Sequence, residues 1–294
     1  MSDAAAGSIY DLGYQRYQGA RLGRRHAIWV LYIDSLRGVF GIGRSLSAKV
    51  GPMGLAAIML LPAIVQLGVA AVATEQIKVT RPEDYYGFME VVLAAFCAVV
   101  APEIVGRDQR TQTLSLYFSR ALRRQDYALA KFAALVTGML AITVVPQILM
   151  FAGNALAGDN FGSYVRDNWR DLPGVAGSAL LLSCLIAGIG LAIAAQTPRR
   201  AYSTVGILAA FILTSAIGAS IFEASDPDIG RFVLLLTPFN VVQGLTLWFF
   251  GAAPDPGTQI ARADLPGVVY AIDATTIALL MLALLLRRYD RISP

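Results

Sequence analysis

Charge is scarce in this chain. Asp, Glu, Lys and Arg make up 15% of its 294 residues, where about a quarter is usual for a soluble domain. Histidine occurs once, as His26, and cysteine twice, as Cys97 and Cys184, each inside an apolar run. Two such cysteines exclude a disulfide framework, and no paired Cys or Cys/His spacing suggests a zinc site. The stretches G-x-S-x-G and H-E-x-x-H are also missing, which removes the commonest hydrolase and metalloprotease signatures. No G-x-x-x-x-G-K-[ST] stretch occurs, so this chain cannot cradle a nucleotide's phosphates in that way. We therefore expect no enzyme, no metal and no cofactor in this chain.

Apolar residues, by contrast, are abundant at 56%, which rules out disorder and points to a bilayer. About 20 mostly apolar helical residues cross a hydrocarbon core roughly 30 Å thick. Seven runs approach that length: 51–74, 87–105, 129–153, 174–196, 203–222, 232–250 and 266–286. The first fifty residues offer only AIWVLYI as an apolar stretch, too poor for a cleaved signal.

Basic residues set the orientation. Eighteen of the 24 Lys and Arg fall before the first run, between the second and third, after the fourth, and at the C-terminus. Placing all four groups in the cytoplasm satisfies the positive-inside rule and requires an even number of crossings. The run least suited to spanning is 232–250, where Pro238, Asn240, Gln243 and Gly244 interrupt the helix. The expected fold is thus an all-α integral membrane protein of six spans, with 232–250 as a re-entrant hairpin on the outer face. The six-span domain covers 51–287, followed by a cytoplasmic tail at 288–294. Both termini are expected in the cytoplasm, at a bacterial plasma (inner) membrane.

Residues 1–50 form the cytoplasmic N-terminal segment. From 26 to 49, Ile28, Leu31, Tyr32, Leu36, Val39, Phe40 and Leu46 recur at helical spacing, with Trp29 among them and Arg37, Arg44 and Lys49 elsewhere on the wheel. A basic amphipathic helix before a span is expected to lie in the membrane interface, in contact with lipid. A helix of a small soluble subdomain is the competing reading, though nothing beside it supplies a core. The polar stretch YDLGYQRYQGARLGRR precedes it. Its place beside a span favours a membrane-surface or subunit contact over nucleic acid.

The longest cytoplasmic loop, 102–131, reads PEIVGRDQRTQTLSLYFSRALRRQDYALAK. Leu114, Tyr117 and Phe118 share one face of a short helix, with Arg120, Arg123 and Arg124 on others. Aromatic and Arg side chains at a membrane boundary suit docking on a soluble partner; the residues alone equally allow a charged loop that merely solvates the turn. The segment resembles the cytoplasmic loop of ATP-binding-cassette type-2 permeases, six-span subunits of bacterial export complexes. That pattern runs acidic, two or three variable residues, Gly-Thr-Leu, then Leu-x-Ser-x-Pro-x-Ser-Arg, then Lys. Asp108 takes the acidic place, Thr113 and Leu114 keep the Thr-Leu pair, and Ser119, Arg124 and Lys131 suit the rest. Gln112 stands where glycine is usual, and Ala121 where proline is usual.

The resemblance covers about 30 of the 294 residues. It implies a permease that pairs with a second permease chain, identical or not. It also implies two copies of a separate ATPase that carry ATP and Mg, docked on the loop helix and the N-terminal helix. An ATPase-independent secondary transporter or channel is the alternative. Ionisable residues at membrane depth bear on it: Asp273, about seven residues into the last run, and Glu90, near the outer end of the second. Asp273 serves either the substrate path or the pairing of permeases, or is a boundary carboxylate.

Overall fold

The computed structural model describes residues 22–72, 81–119, 122–157 and 160–291. Among these residues the chain is helical, with no strand. Helix α1 (Gly23–Val39) is followed by α2 (Leu46–Val72) and α3 (Tyr85–Ala101), which runs through a π-helical turn at Pro102–Gly106 into α4 (Arg107–Arg110). Then come α5 (Leu114–Phe118), α6 (Arg124–Ala157), α7 (Phe161–Asn168), α8 (Asp171–Ala194) and α9 (Arg200–Ala224). Helix α10 (Pro227–Val233), α11 (Pro238–Phe250), α12 (Gln259–Ala263) and α13 (Gly267–Asp290) complete the chain.

Among the described residues, six helices are long and apolar enough to cross a membrane: Leu46–Val69, Tyr85–Arg110, Arg124–Leu156, Asp171–Ala194, Arg200–Ala224 and Gly267–Asp290. This is the signature of a multi-pass membrane protein. The third of them, 33 residues long, measures about 50 Å at 1.5 Å per residue, roughly 20 Å more than the hydrocarbon. Its basic first turns therefore project beyond the apolar layer. In α3, α6 and α8 more than half of the apolar window is buried, against 22%, 17% and 28% in α2, α9 and α13. The first three form the core, and the others present one face outward.

Cys97 on α3 donates to the Ile186 carbonyl of α8 at 3.4 Å, a close approach that Gly190 permits because a Cβ there would meet the sulfur. On the other side of the core, α1 lies along α6 through buried Leu31, Ser35, Gly38 and Val39. Those positions share one helical face. Gly138 on α6 leaves the space that Val39 fills, and Tyr32 donates to Thr137 of α6 at 3.0 Å.

The single helix expected over 26–49 is two helices. Ile42 N–H returns to the Arg37 carbonyl at 2.9 Å and Gly41 N–H to that of Gly38 at 3.1 Å, while Gly41 takes φ +67° and Gly43 φ +82°. This is a glycine-terminated helix end of the Schellman type. Leu46 and Lys49 consequently belong to the first span helix rather than to α1.

Described members of all four basic groups meet at one end of the bundle. Arg24 of α1 forms a double hydrogen bond with Asp126 at 2.6 and 2.7 Å. Gln109 and Arg288 both donate to the Ala195 carbonyl at 3.2 Å, and Arg124 donates to that of Asp290 at 2.9 Å. Arg110 reaches the Pro198 carbonyl at 3.2 Å. Helix α9 thus starts, and α13 ends, at the end that holds α1 and the 102–131 loop. At the far end of α9, Glu223 pairs with Arg262 of α12. Between these two, Ile229–Leu236 and Pro238–Phe250 meet at 96°. Thr237 is extended there, with Pro238 opening α11, whose Val241, Val242, Leu245 and Leu247 are buried.

Candidate functional site

The strongest concentration of charge and aromatic contact lies at the basic end, around the 102–131 loop. A five-residue helix such as α5 cannot hold itself together, because one or two turns do not repay nucleation. Its neighbours hold it. Leu114, Tyr117 and Phe118 are half-buried against the core. The Tyr127 ring lies 5.6 Å from Tyr117 and 5.9 Å from Phe118, and meets Tyr289 of α13 in a tilted contact at 5.0 Å. Arg124 sits 5.9 Å from the Phe118 ring centroid.

The residues expected to face a partner are thus half-buried against the bundle. Leu114, Tyr117, Phe118 and Arg124 turn inward and seat α5, because the buried Tyr127 gives the two aromatic rings a better surface than water does. The outward face carries Leu116, 64% exposed, with Ser115 and Ser119. Arg123 is also exposed. Arg120 lies outside the described residues.

The turn leading into α5 is shaped by Asp108 and Gln112. Asp108 accepts from Lys131 at 2.8 Å and from the Tyr127 hydroxyl at 2.7 Å, while its carbonyl receives Thr113 N–H at 3.1 Å. Gln112 takes φ +54°, a left-handed conformation that costs a side-chain-bearing residue but suits glycine. The position where the resemblance expects glycine is therefore a position whose backbone favours glycine. Burial, and next the nearby Asp108, raise the Tyr117 hydroxyl above its ordinary pKa.

Glu103, in the π-helical turn, is the electrostatic centre. Its carboxylate meets Arg44 and Arg200 at 3.2 Å each and Arg110 at 3.6 Å. Short π turns inside longer helices recur at functional sites. This one brings the α1–α2 turn, α4 and the start of α9 onto one side chain. Beside it opens a polar cavity of about 560 Å³, lined by Arg37, Arg44, Glu103, Arg107, Asp108 and Lys131 among others. Among the described residues, no three His, Cys, Asp or Glu side chains are grouped to hold a metal ion.

Of the residues expected on the N-terminal helix, Arg37 and Arg44 line this cavity, and Leu36 is half-buried. Trp29 points outward, 60% exposed, with its ring 5.4 Å from Tyr32. The two intramembrane carboxylates lie elsewhere. Glu90 on α3 is half-buried. Asp273 on α13 has one carboxylate oxygen buried without a hydrogen-bond partner. Thr275 and Thr276 do not serve it, since each bonds back to its own helix, to Ala271 and Ile272.

Sequence reasoning missed Asp126, Tyr127 and Tyr289 as organisers of the site. No local signal marks them: Arg24 and Asp126 are 102 positions apart, and Gln109 and Tyr289 are 180. Comparison with known proteins gives no match, neither to a family model nor to a curated protein.

Proposed function

We propose that this chain is the permease subunit of an ATP-driven exporter of the ATP-binding-cassette type-2 kind, working as a pair with two copies of a separate ATPase. The observation that carries the reading is the loop between the second and third span helices. It presents a short helix with an outward Leu116, fixed to the bundle through Tyr127, and its Gln112 occupies the left-handed position where that family's pattern has glycine. A surface held this firmly can receive force from a partner without folding away.

In this reading the basic end is cytoplasmic, in an inner membrane, with both termini on that side. Helix α1 lies in the interface with Trp29 toward lipid. The segment around Thr237 is a re-entrant hairpin, because α9 leaves the basic end and α13 returns to it. A carrier that works without an ATPase draws on one observation, the unpartnered carboxylate oxygen of Asp273. It leaves the seated loop helix without a purpose.

The test is co-purification. Where a neighbouring reading frame encodes an ATPase with a phosphate-binding loop, the wild-type chain co-expressed with it should retain it, and Leu116→Glu should release it while inserting normally; a neighbourhood with no such ATPase counts against the exporter reading. If the wild-type chain retains no ATPase, the exporter reading fails.

A further inference from the structure

We infer that the polar cavity at the basic end is a binding site for a phosphate-bearing anion at headgroup depth, with Arg37 and Arg107 as its free cations. Three observations lead there. The first is charge. Three carboxylates line the cavity, yet two of them are occupied: Glu103 by Arg44, Arg110 and Arg200, and Asp108 by Lys131. The guanidinium groups of Arg37 and Arg107 make no hydrogen bond or ion pair among the described residues, so they face Asp34 with cation in excess. Burial, and next the proximity of Arg107, hold the Arg44 guanidinium below its usual pKa. Like charges crowded in this way are relieved by an anion between them.

The second is donors and size. Tyr117 adds a hydroxyl to the lining, whereas those of Thr111 and Thr113 already donate to the Arg107 and Asp108 carbonyls, and the volume of about 560 Å³ falls within the roughly 300–1,000 Å³ usual for small-molecule sites. Guanidinium groups suit phosphate because their planar fork donates two parallel hydrogen bonds. The third is depth. Counted from Tyr85, where the second span helix begins, Arg107 lies about 33 Å along the helix at 1.5 Å per residue. That is just past a hydrocarbon layer of about 30 Å. Basic pockets at this level on the cytoplasmic side take acidic lipid headgroups. The chemistry is a phosphate monoanion or diester, and its source is either an anionic phospholipid or free phosphate. This assignment does not rest on the exporter reading, since it needs no ATPase.

The full-length protein, purified in detergent with equal amounts of phosphatidylglycerol and phosphatidylcholine, is assayed for retained lipid by native mass spectrometry. We expect about tenfold preference for phosphatidylglycerol, and loss of most of it in the double variant Arg37→Gln, Arg107→Gln. The control pair Arg25→Gln, Arg287→Gln removes the same charge from exposed positions outside the cavity and should keep the preference within twofold. Should the double variant misfold, Arg37→Gln alone, at an exposed side chain, should still lower the preference severalfold. Adding inorganic phosphate names the source: displacement of the lipid points to recognition of phosphate itself, and retention points to the lipid diester. No preference in the wild-type protein, or equal loss in the control pair, overturns the assignment.

Discussion

Replacing Glu103 by Gln removes one negative charge from the midst of three guanidinium groups while keeping the side chain's shape. Two unit charges at about 4 Å attract by roughly 4 kcal/mol at an effective dielectric of about 20. Solvent withdraws most of that wherever a partner is exposed. The Arg200 side chain is 55% exposed and that of Arg110 is 34%, so each pair contributes at most about 1 kcal/mol. Arg44 and Glu103 are shielded, at 20% and 21%. Breaking that pair should cost about 2 kcal/mol, somewhat less than the roughly 3–5 of a fully buried one.

The expected total is about 3 kcal/mol. At roughly 2–4 °C per kcal/mol for a chain of this size, the melting midpoint falls on the order of 10 °C. The chain carries its own reporter: Cys97 is buried and Cys184 half-buried, so a dye that fluoresces on thiol attachment follows unfolding in detergent. A cycle of Glu103→Gln, Arg44→Gln and the double variant isolates the shielded pair, with a coupling of about 2 kcal/mol. If Glu103→Gln melts within about 2 °C of wild type, or the two substitutions simply add, the hub argument is wrong.

Gln112→Gly should stabilise the protein by about 0.5–1 kcal/mol, because it removes the strain of a side chain at positive φ; a lower melting midpoint would refute this. Tyr127→Phe should destabilise by about 2 kcal/mol through loss of its 2.7 Å bond to the Asp108 carboxylate, read by the same thiol assay. For Asp273, transport that falls in Asn with assembly intact would show that the charge acts; tolerance of Asn with impaired assembly in Leu would show a helix contact, and wild-type behaviour of both a boundary residue. Single cysteines at Asp226 and Asp255 should both label with an impermeant reagent from outside; labelling of either from the cytoplasm only would make 232–250 a seventh span.

Much of the fold was readable because length and hydropathy are properties of one segment at a time. The six long helices fall where the apolar runs stand, and Gly41 and Gly43 mark the one break that periodicity alone carried past. The site was less readable. The pattern showed that Leu114, Tyr117 and Phe118 share a face of α5, but not whether it looks out or in. That depends on Tyr127, a residue on another helix whose ring is buried only because α13 brings Tyr289 against it. Glu103 stands in the sequence as an ordinary carboxylate at a span's end, and its three arginine partners come from separate elements.

The same contacts divide the basic end mechanically. Helix α5 is packed on Tyr127 of α6 and, through Tyr127, on Tyr289 of α13; Arg124 ties α6 to Asp290, and Arg24 ties α1 to Asp126 of α6. These four helices share buried rings and short charge-assisted bonds, so displacement of α5 is transmitted to α6, a helix of some 50 Å, and with it to α1 and α13. Helix α9 joins differently at this end, by polar contacts at its start: Arg200 to Glu103, the Pro198 carbonyl to Arg110, and Thr204 to the Ala98 carbonyl of α3 at 2.9 Å. Only 17% of its apolar window is buried, and Ile207 and Phe211 are the large side chains it sends into the core, so it is held by fewer contacts than the helices of the first group. A partner pressing on Leu116 would thus move one tightly joined group of helices against a loosely joined one, with Glu103 at the boundary.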